Sequence, residues 1–186
     1  MAKSTKIDNK GIFTVLGILG LGWILSRGSG SGSGGSGSGG SFPGGSLSDP
    51  RGIRNNNPGN IKYNSANNWM GKIPGPQNTD PGRTFEQFTD LKYGLRAMLI
   101  LLKKYYINDN LKTIKGIINK WDPGSTSSGS GYIQYISDRM DLDPTDLLDL
   151  SDLKDLAVHI SSFENGTKVT SPGEIQDVVD QFNLQI

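Results

Sequence analysis

Cysteine, histidine and glutamate, three residue types that commonly do chemistry, are absent or scarce in this chain of 186 residues. It contains no cysteine, which excludes a disulfide framework and a zinc–thiolate site. Its single histidine, His159, argues against a histidine-rich metal centre, so we expect no metal and no other cofactor. Carboxyl groups remain for acid–base chemistry, and the three glutamates are Glu86, Glu164 and Glu174.

Glu164 has the setting that most favours a functional role. It follows Phe163 near the end of "SDLKDLAVHISSFENG", a segment whose apolar residues recur at helical spacing and whose last glycine ends the helix. Negative charge at a helix C-terminus is unfavourable, and an apolar neighbour raises the pKa of a carboxyl group. His159 lies five positions earlier, about 140° around the helix, so the two side chains are not expected to form a dyad.

The other two glutamates have different surroundings. Glu86 lies in "TFEQF", and in an extended segment it points away from Phe85, toward either solvent or a cleft. Glu174 follows Ser171 by three positions, the spacing of a capping box at the start of the last helix. The capping box accounts for Glu174, so only Glu86 and Glu164 stay as candidates for chemistry.

The first 48 residues predict a membrane anchor and a tether. Residues 11–26, "GIFTVLGILGLGWILS", carry no charge, follow lysines and precede an arginine, which indicates a transmembrane helix with its N-terminus in the cytoplasm. A cleaved signal peptide and a peripheral helix are the alternatives. Residues 28–48 are almost wholly glycine and serine, a flexible linker of natural or engineered origin with a span of about 25 Å. The predicted divisions are thus 1–27, 28–48 and 49–186.

Residues 49–186 predict one domain of the α+β class. Helical spacing recurs in "LKYGLRAMLILLKKYY", "TIKGIINKW" and "GYIQYISDRM". Short segments typical of strands, separated by turn residues, are "NIKYN", "NWMGKI" and "RTFEQF", and they predict a small antiparallel sheet. Basic residues prevail in 49–122 and acidic ones in 123–186, without aromatic residues interleaved along one helix, so we expect no nucleic-acid partner.

Several segments of this domain carry a family resemblance. The run "RGIRNNNPGNIKYN", residues 51–64, is followed in order by "NWMG", "FEQFTDLKYGLRAMLILLKKYY", "TIKGIINKW" and "FENG". Together they resemble the muralytic domains of bacteriophage virions, including the lytic enzyme of the enveloped double-stranded RNA phages. Those domains are distant relatives of lytic transglycosylases. The resemblance covers residues 50–183 and implies a lysozyme-like fold, mainly helical with a small sheet.

The resemblance implies that a glutamic acid cleaves the MurNAc–GlcNAc bond of peptidoglycan. One acid suffices, because the sugar's own 6-hydroxyl closes onto the anomeric carbon and the same residue then acts as the base. Glu164 and Glu86 are the candidates. In most lytic transglycosylases the glutamate helix precedes the segment that resembles "NNPGNI", so Glu164 requires a circular permutation, and without one Glu86 is favoured.

Five further residues are candidates for binding the glycan. Two are asparagines, which would present amides to a cleft or pin its wall, and three are aromatic residues, which would stack on sugar rings or fill the core. They are Asn57, Asn60, Trp69, Tyr132 and Tyr135.

The resulting hypothesis is a membrane-anchored phage enzyme that opens the cell wall for entry or host lysis. It would sit in the virion membrane or the host inner membrane, with its C-terminal domain on the periplasmic side. Its partners would be peptidoglycan glycan strands, a lipid membrane through residues 11–26, and other virion proteins. The alternatives are a non-catalytic virion structural or glycan-binding module, and a muramidase or endopeptidase that acts on the same wall.

Overall fold

A computed structural model describes residues 43–126 and 131–186, and these residues form a helical domain. The α-helices in chain order are α1 (Arg51–Arg54), α2 (Leu91–Ile107), α3 (Ile114–Trp121), α4 (Tyr132–Met140), α5 (Asp152–Asn165) and α6 (Pro172–Gln181). Short 3₁₀ turns occupy Gly75–Gln77, Pro81–Arg83 and Pro123–Thr126.

Local side-chain chemistry decides where several helices begin and end. Asp90 at the start of α2 and Thr113 at the start of α3 each accept a hydrogen bond from a backbone N–H (3.0 Å in both). Ser171 and Glu174 form the predicted capping box of α6. At the end of α5, Gly166 adopts a φ of 64°, which costs glycine little.

The long helix α2 lies at the centre of the domain. It packs against α3, α5 and α6, while α4 packs against α3 and α5, and the short α1 contacts α5. Five of the six residues whose spacing predicts the inner face of α2 are buried, and the sixth, Tyr106, is partly buried. The five are Leu95, Met98, Leu99, Leu102 and Tyr105. Because α1 contacts α5, the first residues of the domain lie close to the helix that carries Glu164.

The predicted α+β class with a small antiparallel sheet is wrong. The described residues contain no strand, and the segments expected to form one meet only at isolated antiparallel bridges, Lys62 with Phe85 and Lys72 with Phe88. The segments do run beside each other, but they do not continue into a ladder.

Side-chain amides take the place of the missing ladder. Asn57 Nδ2 donates to the carbonyl oxygens of Ile61 and Glu86 (2.9 Å each), and Asn57 Oδ1 accepts from the N–H of Ile61 (2.9 Å). Asn78 Nδ2 likewise donates to the carbonyl oxygen of Phe85 (2.9 Å). These bonds satisfy backbone groups that neighbouring strands would otherwise pair, so the segments stay irregular.

The described part of the chain contains no helix long and apolar enough to cross a membrane. This finding runs against the predicted single-pass membrane protein with an N-terminal transmembrane helix, and that prediction is not maintained. The sixteen uncharged residues 11–26 are also shorter than the roughly 20 that span a bilayer. They lie outside the described residues, and the divisions at 27 and 48 stay predictions.

Replacing Asn57 by alanine should destabilise the domain. The side chain is fully buried, and without it the carbonyl of Glu86 and the N–H of Ile61 lose a partner, each at a cost of about 1–3 kcal/mol, while the carbonyl of Ile61 keeps the N–H of Glu86. We expect urea denaturation to show a loss of about 3 kcal/mol in the free energy of unfolding. Asn68→Ala, at an exposed asparagine nearby, is the matched control and should cost less than about 0.5 kcal/mol. Equal losses in the two variants would contradict the pinning role of Asn57.

Candidate active site

Glu164 lies in the last turn of α5, with its side chain partly buried. Two donors fix its carboxyl group, since Tyr132 Oη donates to Oε1 (3.0 Å) and Asn60 Nδ2 donates to Oε2 (3.1 Å). Asn60 Nδ2 also lies 3.2 Å from the backbone carbonyl oxygen of Glu164, to which it donates. The carboxyl group is therefore held in one orientation by Asn60, which lies in the opening loop, and by Tyr132 of α4.

Burial raises the pKa of Glu164 from 4.5 to about 7. The hydrogen bonds from Asn60 and Tyr132 lower this pKa, because they stabilise the charged form. The negative charge of Asp122 raises it, and Trp121 lowers it, although the indole N–H of Trp121 makes no hydrogen bond of normal geometry. A carboxyl group with a pKa of about 7 is partly protonated at neutral pH, and it can both donate and accept a proton there.

Aromatic rings line one side of Glu164. Tyr132 is buried at the start of α4, and its ring stacks on that of Phe163 with the centroids 3.8 Å apart. Tyr135, on the next turn of α4, is only partly buried and contacts Phe163 edge to face at 5.0 Å. We call Tyr132, Phe163 and Tyr135 the aromatic wall. Burial and the charge of Glu164 raise the pKa of Tyr132 well above 10, so its hydroxyl keeps the proton that it donates.

The opening loop, residues 55–60, reaches Glu164 through close backbone contacts. A Cβ atom at Gly59 would lie 2.6 Å from the ring of Trp121, so only glycine allows this approach. Asn165 Nδ2 donates to the carbonyl oxygen of Pro58 (2.9 Å) and ties the loop to the end of α5. Asn60 adopts a φ of 47°, a left-handed conformation that asparagine tolerates better than most residues. These contacts direct the Asn60 amide at the carboxyl group.

Glu86, the rival candidate for the acid, occupies a different environment. It is fully buried and forms an ion pair with Lys72 (Oε1 to Nζ, 3.0 Å). Its Oε1 also accepts from the backbone N–H of Asn64 (3.1 Å). Burial raises the pKa of Glu86, while Lys72 and Asn64 lower it. This carboxyl group holds the loops together and shares no hydrogen bond with Glu164.

The other predicted glycan-binding residues divide into two groups. Two of them, Asn60 and Tyr132, donate hydrogen bonds to Glu164. Tyr135 contacts Phe163, the residue before Glu164. Asn57 is buried with its amide on the backbone of the loops, and Trp69 is partly buried against the hydrophobic core.

The described residues offer no obvious metal site. In 43–126 and 131–186, no three or more histidine, aspartate or glutamate side chains are grouped to hold a metal ion.

Asp122 is a site residue that was missing from the sequence-based prediction. It caps the end of α3 and accepts a hydrogen bond from the N–H of Gly124 (3.1 Å). Burial raises its pKa, while the bond from Gly124 and the charge of Lys62 lower it. Its charge raises the pKa of both Glu164 and Tyr132. An aspartate before Pro-Gly is typical of a turn, so the sequence carries no signal that packing brings it near Glu164.

Tyr132→Phe should raise the pKa of Glu164 above its value of about 7. The substitution removes a hydrogen bond that favours the charged carboxylate and keeps the stacked ring. Carbon-13 NMR of labelled glutamate side chains across pH 4–10 measures the change. Tyr135→Phe removes a hydroxyl that makes no bond to Glu164 and is the matched control, with no shift expected. A lowered or unchanged pKa in Tyr132→Phe would contradict the role of this bond.

Comparisons with known proteins place the chain among phage proteins. No protein-family model matches it. It is similar to Protein P5 of Pseudoalteromonas phage PM2, with 30% identity over 128 residues that cover 68% of this chain and 78% of the phage protein. Identity of this degree over most of both chains indicates common descent. The chain therefore belongs to the family of the phage PM2 protein P5.

Proposed function

We propose that this chain is a phage enzyme that cleaves peptidoglycan glycan strands as a lytic transglycosylase, with Glu164 as both acid and base. The observation that carries the proposal is the partly buried Glu164 carboxyl group, which has a pKa of about 7 and is fixed by two donors. The resemblance of "RGIRNNNPGNI" to muralytic domains and the kinship with a phage protein support it.

The reaction needs one carboxyl group that changes its protonation state twice. Protonated Glu164 donates its proton to the glycosidic oxygen between MurNAc and GlcNAc, and the bond from that oxygen to the anomeric carbon breaks. The 6-hydroxyl oxygen of the same MurNAc bonds to the anomeric carbon, and charged Glu164 accepts the hydroxyl proton. No water is consumed, the product carries a 1,6-anhydro end, and Glu164 is protonated again.

The hydroxyl of Tyr132 and the amide of Asn60 are suited to stabilise Glu164 between these two steps, when it is charged. When Glu164 has lost its proton, the hydrogen bonds from Tyr132 and Asn60 stabilise the carboxylate. The amide oxygen of Asn60, Oδ1, is buried and has no hydrogen-bond partner among the described residues. Buried polar atoms are normally paired, so a sugar hydroxyl is a suitable donor to this oxygen.

The position of Asp122 favours a second candidate, hydrolysis of the same bond as in a muramidase. Glycosidases that hydrolyse their substrate use two carboxyl groups, one as the acid and one as a base or nucleophile. Asp122 is a second carboxyl group whose charge acts on Glu164. The products separate the two candidates, because hydrolysis leaves reducing ends and transglycosylation leaves anhydro ends.

Digestion of purified peptidoglycan by the full-length chain tests the proposal. We expect soluble fragments with anhydro ends by mass spectrometry, and a loss of at least about 100-fold in rate for Glu164→Gln, which cannot donate a proton. Glu174→Gln makes the same substitution at a helix-capping residue, so it is the matched control and should keep most of the activity. Glu86→Gln should keep its rate per folded molecule, since that residue holds Lys72.

Two outcomes would contradict this proposal. Failure of the unmutated chain to release any fragment, with circular dichroism showing it folded, would favour the non-catalytic module. Full activity of Glu164→Gln would remove this residue from the reaction.

Asp122→Asn should shift the pH profile toward acid. Removing the negative charge lowers the pKa of Glu164, so the alkaline limb of kcat/KM should move to lower pH. Under the transglycosylase proposal the rate at the optimum should fall less than about 10-fold, whereas a second catalytic carboxylate would make the fall about 100-fold or more. Asp138→Asn, at an exposed aspartate of α4, is the control and should leave the limb in place. An unmoved limb in Asp122→Asn would contradict the electrostatic coupling.

A further inference from the structure

Arg139 extends the aromatic wall away from Glu164. It lies in the last turn of α4, and its guanidinium group stacks over the ring of Tyr135 at 3.4 Å from the centroid. Tyr135 contacts Phe163 at 5.0 Å, and Phe163 directly precedes Glu164 in α5. A continuous row of side chains therefore leads from the carboxyl group to a cation at the surface.

The guanidinium group of Arg139 has most of its donors free. One N–H donates to the backbone carbonyl oxygen of Tyr135 (3.3 Å), and the side chain makes no ion pair within residues 43–126 and 131–186. Acidic residues outnumber basic ones in 123–186, so a lack of carboxylate partners is unexpected there. The neighbouring Asp138 accepts from Gln134 instead (2.6 Å). Since a guanidinium has five N–H groups, a bidentate pair remains available for a ligand.

The surroundings of Arg139 fix the orientation of its guanidinium group before any ligand binds. Stacking on Tyr135 and the bond to the backbone limit the rotation of a long side chain, which lowers the entropy cost of binding. Its charge also acts on α5. Burial lowers the pKa of His159 on that helix, the charge of Asp155 raises it, and the charge of Arg139 lowers it. The charge of Arg139 thus reaches the helix that carries Glu164, and its side chain is exposed to solvent.

We propose that Arg139 binds a carboxylate of the peptide stem while the glycan strand lies along Phe163 and Tyr135, the two partly exposed rings of the aromatic wall, an inference that rests on the proposed function. Peptidoglycan stems carry free carboxylates and project from the strand through the lactyl group of MurNAc. In a strand with stems the lactyl carboxyl is used in an amide bond, so the remaining carboxylates belong to the peptide. A planar guanidinium group held by a ring is suited to bind one of them through two hydrogen bonds.

Binding of soluble glycan oligosaccharides tests this inference. The full-length chain carries Glu164→Gln throughout to prevent turnover, and isothermal titration calorimetry compares oligosaccharides that keep their stems with the same material after an amidase has removed them. Adding Arg139→Gln should weaken binding of the stem-bearing material about 10-fold and leave the stripped material unchanged. Arg139→Lys keeps the charge without the planar fork and should recover only part of the affinity. Lys115→Gln removes one positive charge at an exposed site on α3 and is the matched control.

Three results would overturn the inference. The first is an unchanged Kd for the stem-bearing material in Arg139→Gln. The second is an equal or greater loss of affinity for the stripped material, which would assign Arg139 to the free lactyl carboxylate. The third is that neither material binds. Because binding is measured without turnover, these results are separate from the digestion assay. A chain that binds stems through Arg139 but releases no fragments would contradict the proposed enzyme and leave the Arg139 site standing.

Discussion

The contact between Asn60 and Glu164 joins two segments that are 104 positions apart in sequence, and the rest of the site depends on it. The contact requires the opening loop to approach α5 closely. A Cβ atom at Gly52 would lie 2.3 Å from Asn165 Oδ1, and Asn165 itself binds the carbonyl oxygen of Pro58. Glycine and asparagine are concentrated at the start of the domain because this region packs backbone against backbone. A stretch whose composition suggests a flexible loop is therefore an ordered part of the site.

The same packing sets the electrostatics of Glu164. Burial favours the protonated form, and the bonds from Asn60 and Tyr132 favour the charged form. Burial outweighs the bonds, since the pKa rises to about 7, and the negative charge of Asp122 adds to the rise. At alkaline pH the domain must hold a buried charge, which opposes folding. The domain is thus less stable than it would be with a neutral side chain there, as is common at functional sites.

Local patterns predicted much of the helical fold, whereas the predicted sheet is wrong and no described helix is long and apolar enough to be the predicted membrane span. The spacing of apolar residues located α2, α3 and α5, and the Ser171–Glu174 spacing located the start of α6, because helices and caps depend on nearby residues. The sheet prediction failed because the amides of Asn57 and Asn78 bind backbone groups, which alternation of residue types does not reveal.

The site could be predicted only as far as its local signals reached. Three local features predicted Glu164 as a candidate: it lies at a helix end, follows an apolar residue and is one of few glutamates. The unusual composition of the opening loop indicated that this segment also has a role. The partners on other helices, Asp122 and Arg139, were not found, since their relation to Glu164 exists only after α3, α4 and α5 have packed together. Contacts of this kind depend on the tertiary structure rather than on spacing along the chain.

The most direct test of the raised pKa of Glu164 is the pH dependence of stability in the unmutated chain and in Glu164→Gln. A carboxyl group whose pKa is raised on folding, here from 4.5 to about 7, stabilises the fold most below the lower value, and this contribution is lost as pH rises through the higher one. The free energy of unfolding of the unmutated chain should therefore fall relative to Glu164→Gln between pH 5 and pH 9. Glu174, whose pKa is lowered by its bonds to Ser171, should show no such trend in this range when replaced by glutamine. A difference between the unmutated chain and Glu164→Gln that stays constant across that range would contradict the account.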